Sequence, residues 1–115
     1  MHLFYYLGSC DTCKRIMKTF TLTDDIKQID VKKNPLTEEQ LEALYWFSGS
    51  YEALLNKRAK KLKEIDKSSL DEAKIKALLL SHYTFLKRPV LLYQDKLYIG
   101  NAKATITAAK AALDG

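Results

Sequence analysis

The residues of this chain best suited to covalent chemistry are its two cysteines, Cys10 and Cys13, which are separated by two residues. The nucleophile in thiol chemistry is the thiolate, and free cysteine is mostly protonated at neutral pH. A helix start carries partial positive charge and unpaired N–H groups, which stabilise a thiolate. The spacing places both cysteines on one face of a first helical turn. We therefore expect Cys10 to attack a disulfide and Cys13 to resolve the mixed disulfide that forms.

The elements on either side of the pair predict how it is positioned. An apolar, aromatic run at residues 2–7 is typical of a buried strand, and residues 8–9 form the turn after it. A helix is predicted from residue 10 or 11 to residue 20, with Ser9 or Cys10 at its N-cap. Strand, turn, Cys-x-x-Cys and helix together indicate a thiol redox site.

The remaining elements follow from hydrophobic periodicity and from turn residues. In chain order they are a strand at residues 26–31, a helix opened by a capping box at 37–40 and closed at Gly49, a short helix at 51–55, an irregular basic stretch at 56–67, a helix opened by a capping box at 69–72, strands at 90–93 and 97–99, and a helix at 102–113. The two strands at the start are joined by a helix, so they are expected to be parallel.

This order predicts an α/β fold of the thioredoxin-like type. We expect a small mixed β-sheet flanked by helices, with an all-helical insert at about residues 37–82 between a β-α-β half and a β-β-α half. At 115 residues, the chain is expected to form a single domain over residues 1–115.

Arg88 and Pro89 form the second group that could take part in chemistry. A proline before a strand can adopt the cis form, and a cis-proline loop facing the first helix would bring Arg88 close to Cys10. Arginine presents a fixed fork of donors that matches an oxyanion or a glutathione carboxylate. Alternatively, Pro89 merely starts a strand and Arg88 lies on the surface. Lys14 adds positive charge one turn after Cys10.

Composition limits the other classes of function. The net charge of +5 is modest, and the basic run at residues 57–63 has no interleaved aromatic residue, so no direct nucleic-acid binding is expected. No apolar run approaches the roughly 18 residues that span a membrane. The first residues lack the features of a signal peptide, so we expect a cytoplasmic protein in which the thiols are kept reduced.

A metal site and an inert thiol pair are the alternatives to redox chemistry. Structural zinc requires four ligands, whereas the chain has two cysteines and only His2 and His82 besides, far apart in sequence. No metal is therefore expected. A pair of buried structural thiols would be inert, but this pair is predicted at a junction between loop and helix rather than inside an element.

Four segments together resemble the arsenate reductase (ArsC/Spx/YffB) family of the thioredoxin-like superfamily. They are residues 6–15 (YLGSCDTCKR), 34–37 (NPLT), 52–58 (EALLNKR) and 87–91 (KRPVL). The resemblance implies that Cys10 is the nucleophile and that Arg88 precedes a cis-proline. Of the three arginines that bind the oxyanion in arsenate reductases, only Arg88 is matched directly. Asn56 occupies the position of the first of these arginines, and Arg58 lies two residues after it.

The resemblance implies three alternative functions. The first is a thiol–disulfide oxidoreductase that binds no cofactor and uses glutathione as co-substrate, coupled to glutaredoxin or thioredoxin. Cys10, Cys13 and Arg88 would be catalytic, and Arg58, Arg88, Pro89 and Lys14 would bind substrate. The second is a redox-sensing regulator of the Spx type, which binds the C-terminal domain of the RNA polymerase α subunit. The third is a true arsenate reductase coupled to glutaredoxin.

Overall fold

The strands of the molecule form one mixed sheet with the strand order β2-β1-β3-β4. The computed structural model describes residues 2–115. The strands are β1 (Leu3–Tyr6), β2 (Lys27–Asp30), β3 (Val90–Tyr93) and β4 (Lys96–Ile99). Strand β1 pairs in parallel with β2 and antiparallel with β3, and β3 forms an antiparallel hairpin with β4. The predicted mixed sheet is therefore confirmed, with the first strand at its centre.

Helices occupy the predicted places between and after the strands. They are α1 (Asp11–Thr19), α2 (Glu38–Ser48), α3 (Glu72–Ser81) and α4 (Lys103–Asp114). The β-α-β and β-β-α halves and the helical segment between them are thus confirmed. The stretch predicted to be irregular contains two 3-10 turns, at Lys60–Glu64 and Lys67–Ser69. Within residues 2–115, no helix has the length and hydropathy needed to cross a bilayer.

The chain divides into two compact units. One, which we call the sheet unit, comprises the residues up to Asn34 together with Arg88–Gly115, and it contains the sheet, α1 and α4. The other, the helical unit, comprises Pro35–Lys87 and contains α2, α3 and the short 3-10 turns. The single domain expected over residues 1–115 stays a prediction.

The core of the sheet unit fixes α1 and α4 against one face of the sheet. Phe4 of β1 lies opposite Leu91 of β3, and both are essentially inaccessible to solvent. Ile16 and Phe20 from the first helical segment and Ala109 from α4 pack with them. Burying each large side chain contributes roughly 1.5–3 kcal/mol. This packing fixes the start of α1 at the end of the central strand.

The capping box that opens α2 forms as predicted. The N–H of Gln40 donates to the Thr37 hydroxyl oxygen at 3.1 Å, and the N–H of Thr37 donates to the Gln40 side-chain oxygen at 3.0 Å. The helix ends at Gly49, whose φ of 80° lies in the left-handed region that glycine adopts without strain. These local signals, readable in the sequence, set both ends of α2.

The capping box predicted at residues 69–72 is wrong, because α3 begins two residues later. Asp71 is the N-cap, and its carboxylate accepts the backbone N–H three residues on at 2.8 Å. The Ser69 hydroxyl instead donates to the carbonyl oxygen of Asp66 at 2.6 Å. The Glu72 carboxylate accepts the N–H of Tyr51 at 2.8 Å, which explains why it does not close a capping box.

The hydroxyl of Tyr5 is a buried polar group whose effect on the free energy of unfolding can be measured. Its side chain is fully buried, and its hydroxyl has no hydrogen-bond partner among residues 2–115. Burial raises the pKa of Tyr5 to about 12. Because an unsatisfied buried hydroxyl is costly, we expect Tyr5→Phe to raise the free energy of unfolding by about 1 kcal/mol, measured by urea denaturation.

The matched control for this change is Tyr51→Phe in the helical unit. The Tyr51 hydroxyl is part-buried and donates to the Glu42 carboxylate at 2.9 Å. Removing a satisfied hydroxyl should lower the free energy of unfolding by about 1 kcal/mol. If Tyr5→Phe destabilised the protein as much as Tyr51→Phe, the proposed cost of burying the Tyr5 hydroxyl would be wrong.

Candidate functional site

Cys10 is the N-cap residue of α1. Of the two N-cap residues that the sequence allowed, Ser9 and Cys10, the second is therefore the one observed. Its backbone is extended, with φ of −91° and ψ of 117°. The N–H of Cys10 donates to the carbonyl oxygen of Leu7 at 3.0 Å, and its own carbonyl accepts the N–H of Lys14 at 3.0 Å. The chain therefore turns from β1 into α1 within a few residues. That turn holds the Cys10 thiol at the positive end of the helix.

The two thiols differ sharply in their exposure. Both cysteines are free; Cys10 is partly exposed, whereas Cys13 is fully buried on the first turn of α1. The two thiols interact electrostatically with each other. A substrate can thus reach Cys10 directly, whereas Cys13 is closed to solvent.

The surroundings of Cys10 favour its thiolate. Partial burial raises the pKa of Cys10, but the N–H and S–H of Cys13, the N–H of Thr12 and the charge of Arg88 together hold it below its ordinary value. These two N–H groups occupy the N2 and N3 positions, which a capping side chain normally faces. The sulfur makes no capping bond of ordinary geometry. The stabilisation is therefore mainly the electrostatic attraction of several aligned dipoles.

The surroundings of Cys13 favour its neutral thiol. Burial raises the pKa of Cys13 to about 11, and negative charge on Cys10 acts in the same direction. The two titrations are linked, since negative charge on Cys10 makes it harder to remove the proton from Cys13. The surroundings thus favour ionisation of the Cys10 thiol and retention of the proton on the Cys13 thiol.

Arg88 and Pro89 lie beside the thiol pair because of the strand register. Tyr5 is opposite Val90 in the antiparallel pairing of β1 with β3. The residues just before β3 therefore lie beside those just after β1, where the turn to Cys10 begins. The Arg88–Pro89 peptide bond is cis, and the Pro89 carbonyl accepts the N–H of Gly100 at 2.8 Å. Of the two possibilities considered for Pro89, the cis-proline loop is therefore the one observed.

The positive charge of Arg88 acts on both thiols, and it lowers the pKa of each. Arg88 is partly exposed, while its Nε atom is buried. Among the other residues that the sequence suggested, Lys14 is exposed on α1. Arg58 is exposed in the helical unit, where its N–H donates to the Asn56 side-chain oxygen at 3.1 Å. The geometry groups Cys10, Cys13 and Arg88.

Two features of the site were not predicted from the sequence. One is the difference in burial between the two thiols, which depends on the rotation of the first turn of α1. The other is a groove between α1 and α4 that begins at Thr12, between the two cysteines. Lys103 of α4 lines this groove, although nothing in its sequence neighbourhood indicates a site. Within residues 2–115, no group of three or more potential ligands is arranged to hold a metal ion.

Comparison with known proteins identifies a family. The model of the ArsC family matches residues 5–109, a range that includes both cysteines, Arg88 and Pro89. No curated protein matches the chain by sequence.

Solved structures share the fold over nearly the whole chain. The YffB protein is 26% identical, with a TM-score of 0.75 over 98% of this chain and 99% of that one. An arsenate reductase (ArsC) related protein from Brucella melitensis is 28% identical, with a TM-score of 0.70 over 93% of this chain and 92% of that one. An ArsC family related protein from Bacteroides fragilis, 23% identical, has a TM-score of 0.73 over 95% and 98% of the two chains. These similarities confirm the thioredoxin-like fold.

Proposed function

We propose that this chain, which belongs to the ArsC family, is a thiol–disulfide oxidoreductase that uses Cys10 as nucleophile and Cys13 as resolving thiol. The proposal rests on the difference in exposure and in pKa between the two cysteines. Cys10 is partly exposed with a lowered pKa, and Cys13 is buried beside it with a raised one. A nucleophile must be ionised and accessible, whereas a resolving thiol must stay protonated until the mixed disulfide has formed.

The proposed reaction is a two-electron thiol–disulfide exchange. The Cys10 thiolate attacks one sulfur of the substrate disulfide, which forms a mixed disulfide and releases the other sulfur as a thiolate. Cys13 then loses its proton and attacks the Cys10 sulfur, which releases the second substrate thiol. The substrate gains two electrons and two protons, and the protein is left with a Cys10–Cys13 disulfide. Two molecules of glutathione, or one dithiol of glutaredoxin or thioredoxin, return the pair to the reduced state.

The loss of negative charge from Cys10 explains how the second step is triggered. While Cys10 is a thiolate, its charge helps to keep the proton on Cys13. Forming the mixed disulfide removes that charge, so the pKa of Cys13 falls towards the range in which its thiolate forms. Resolution therefore follows attack, and not the reverse.

Residues of positive charge are proposed to hold the anionic part of the substrate. Arg88 acts on both thiols, and its fork of donors suits a glutathione carboxylate or an oxyanion. Lys14 and Pro89 are proposed as neighbouring contacts, and Arg58 is proposed from the family resemblance alone. We also propose that the protein acts in the cytoplasm, where glutathione is abundant.

The proposed function is tested by turnover with glutathione as the reductant. The purified protein is mixed with glutathione and either hydroxyethyl disulfide or arsenate, and oxidised glutathione is measured with a coupled reductase. We expect turnover of the disulfide. Arsenate-dependent formation of oxidised glutathione would favour the true arsenate reductase, and no turnover of either substrate, with glutathione alone or with added glutaredoxin, would contradict enzymatic function.

An Spx-type regulator is the second candidate, and the exposed aromatic surface of α2 favours it. Trp46 is 82% exposed and Tyr45 is 37% exposed, next to the end of the helix at Gly49. Exposed Trp side chains are typical anchors of protein interfaces. Retention of the RNA polymerase α C-terminal domain by the protein, lost in Trp46→Ala, would support this function. No retention by either the reduced or the oxidised protein would exclude it.

A further inference from the structure

A groove of about 310 Å³ runs between α1 and α4 in the sheet unit, beginning beside the thiol pair. Thr12, which separates the two cysteines in sequence, lines one end of it. Its apolar part is formed by Ile16 of α1 and Ile106 of α4. Arg15 and Lys103 line it from the two helices. The groove therefore combines an apolar strip with two cations, close to the residues proposed to react.

The two helices run in the same direction along this groove. Thr12, near the start of α1, and Lys103, the first residue of α4, both line it. At the other ends, the Thr21 hydroxyl donates to the Asp114 carboxylate at 3.0 Å, just beyond α1 and at the end of α4. Both N-termini therefore lie at the thiol end. Their partial positive charges add to each other there.

The charged side chains that line the groove are both positive. Arg15 and Lys103 are exposed, and neither forms an ion pair with any residue of the described chain, residues 2–115. At the far end, Lys110 is paired with Asp114 at 2.5 Å. The lining of the groove thus contains two cations, Arg15 and Lys103, and no carboxylate. An anionic group is favoured beside these two side chains.

We propose that this groove binds an acidic segment of a protein substrate, adjacent in sequence to the disulfide that Cys10 attacks. This inference rests on the proposed function and specifies its substrate class. A carboxylate near the disulfide would contact Arg15 and Lys103, and an apolar side chain further along the segment would pack on Ile16 and Ile106. A free inorganic anion would leave the apolar strip uncovered, so an extended peptide fits the groove better.

Binding is measured first, without any thiol chemistry. The probe is a fluorescein-labelled peptide that has two glutamates followed by leucine and has no cysteine, and its affinity is measured by fluorescence anisotropy. Replacing both glutamates with glutamine, or introducing Arg15→Glu with Lys103→Glu, should weaken binding about tenfold or more. Lys18→Glu is the matched control, since Lys18 is exposed on the same helix and does not line the groove.

Reduction is measured second, with two peptide disulfides that differ only in the two glutamates. The ratio of kcat/KM for the acidic peptide to that for its glutamine analogue should fall about tenfold in the Arg15→Glu, Lys103→Glu variant. The ratio is used because any effect of these charges on the Cys10 pKa changes both substrates alike. Lys18→Glu should leave the ratio unchanged.

The two measurements separate failure of the inference from failure of the proposed function. Equal binding of the acidic and glutamine peptides, or a ratio that the double variant does not change, would overturn the groove assignment while leaving the oxidoreductase intact. Acidic-peptide binding that the double variant loses, without reduction of any disulfide, would support the groove and overturn the oxidoreductase.

Discussion

Replacing Cys10 with serine is expected to lower disulfide reduction by at least about 1,000-fold, because a serine hydroxyl is not ionised at neutral pH and is a far weaker nucleophile. Cys13 cannot take over the attack. It is fully buried, and burial raises its pKa to about 11. The loss is measured as the rate at which glutathione reduces hydroxyethyl disulfide in the presence of the wild-type protein, of the variant, or of neither.

The fold of Cys10→Ser should remain intact, so the loss cannot be attributed to unfolding. Cys10 is the N-cap of α1 and makes no capping bond of ordinary geometry. Serine is among the favoured N-cap residues and is worth about 1 kcal/mol there. The melting temperature is therefore expected to be equal to or higher than that of the wild type. Unchanged activity in the folded variant would contradict the nucleophilic role.

Replacing Cys13 is expected to trap the protein as a mixed disulfide on Cys10. Without the resolving thiol, the second step cannot occur, so exposure to oxidised glutathione should add one glutathionyl group per chain. Intact-mass spectrometry measures the adduct, and peptide mapping assigns it to Cys10. The wild-type protein treated in the same way should lose two hydrogens and form the Cys10–Cys13 disulfide instead.

Two variants keep this prediction testable, because Cys13 is fully buried. Cys13→Ser places a hydroxyl in the core, which costs roughly 1–3 kcal/mol if it finds no partner. Cys13→Ala avoids the buried hydroxyl and leaves only a small cavity. Both should accumulate the adduct. A folded Cys13→Ala that returns to the free thiol at the wild-type rate would show that Cys13 does not resolve the intermediate.

Local signals in the sequence were sufficient to predict most of the helices and strands. The run before Cys10 and the Thr37–Gln40 capping box each depend on a few neighbouring residues, so they could be recognised without tertiary information. The box at Ser69 failed because its glutamate, Glu72, bonds to the backbone of Tyr51, which lies 21 residues away. A pattern of four residues contains no information about a competing partner so distant in sequence.

Some features of the candidate site could likewise be predicted from the sequence, and others depend on tertiary structure. Cys10, Cys13 and Arg88 were suggested by spacing and by a family resemblance, and the register of β1 with β3 brings them together. The groove between α1 and α4 could not be predicted, since Arg15 and Lys103 are 88 residues apart and meet only because two helices pack side by side. The division of the pKa values also depends on burial, which the sequence does not contain.

The ionisation of Cys10 tests the central claim most directly. The rate of alkylation of Cys10 by iodoacetamide, followed against pH and assigned by peptide mass, should have its midpoint below the roughly 8.5 of free cysteine. Arg88→Gln should raise the midpoint because it removes a charge that lowers the Cys10 pKa. Arg88→Lys keeps the charge and should leave the midpoint close to that of the wild type. A wild-type midpoint at or above that of free cysteine would contradict the assignment of Cys10 as the activated nucleophile.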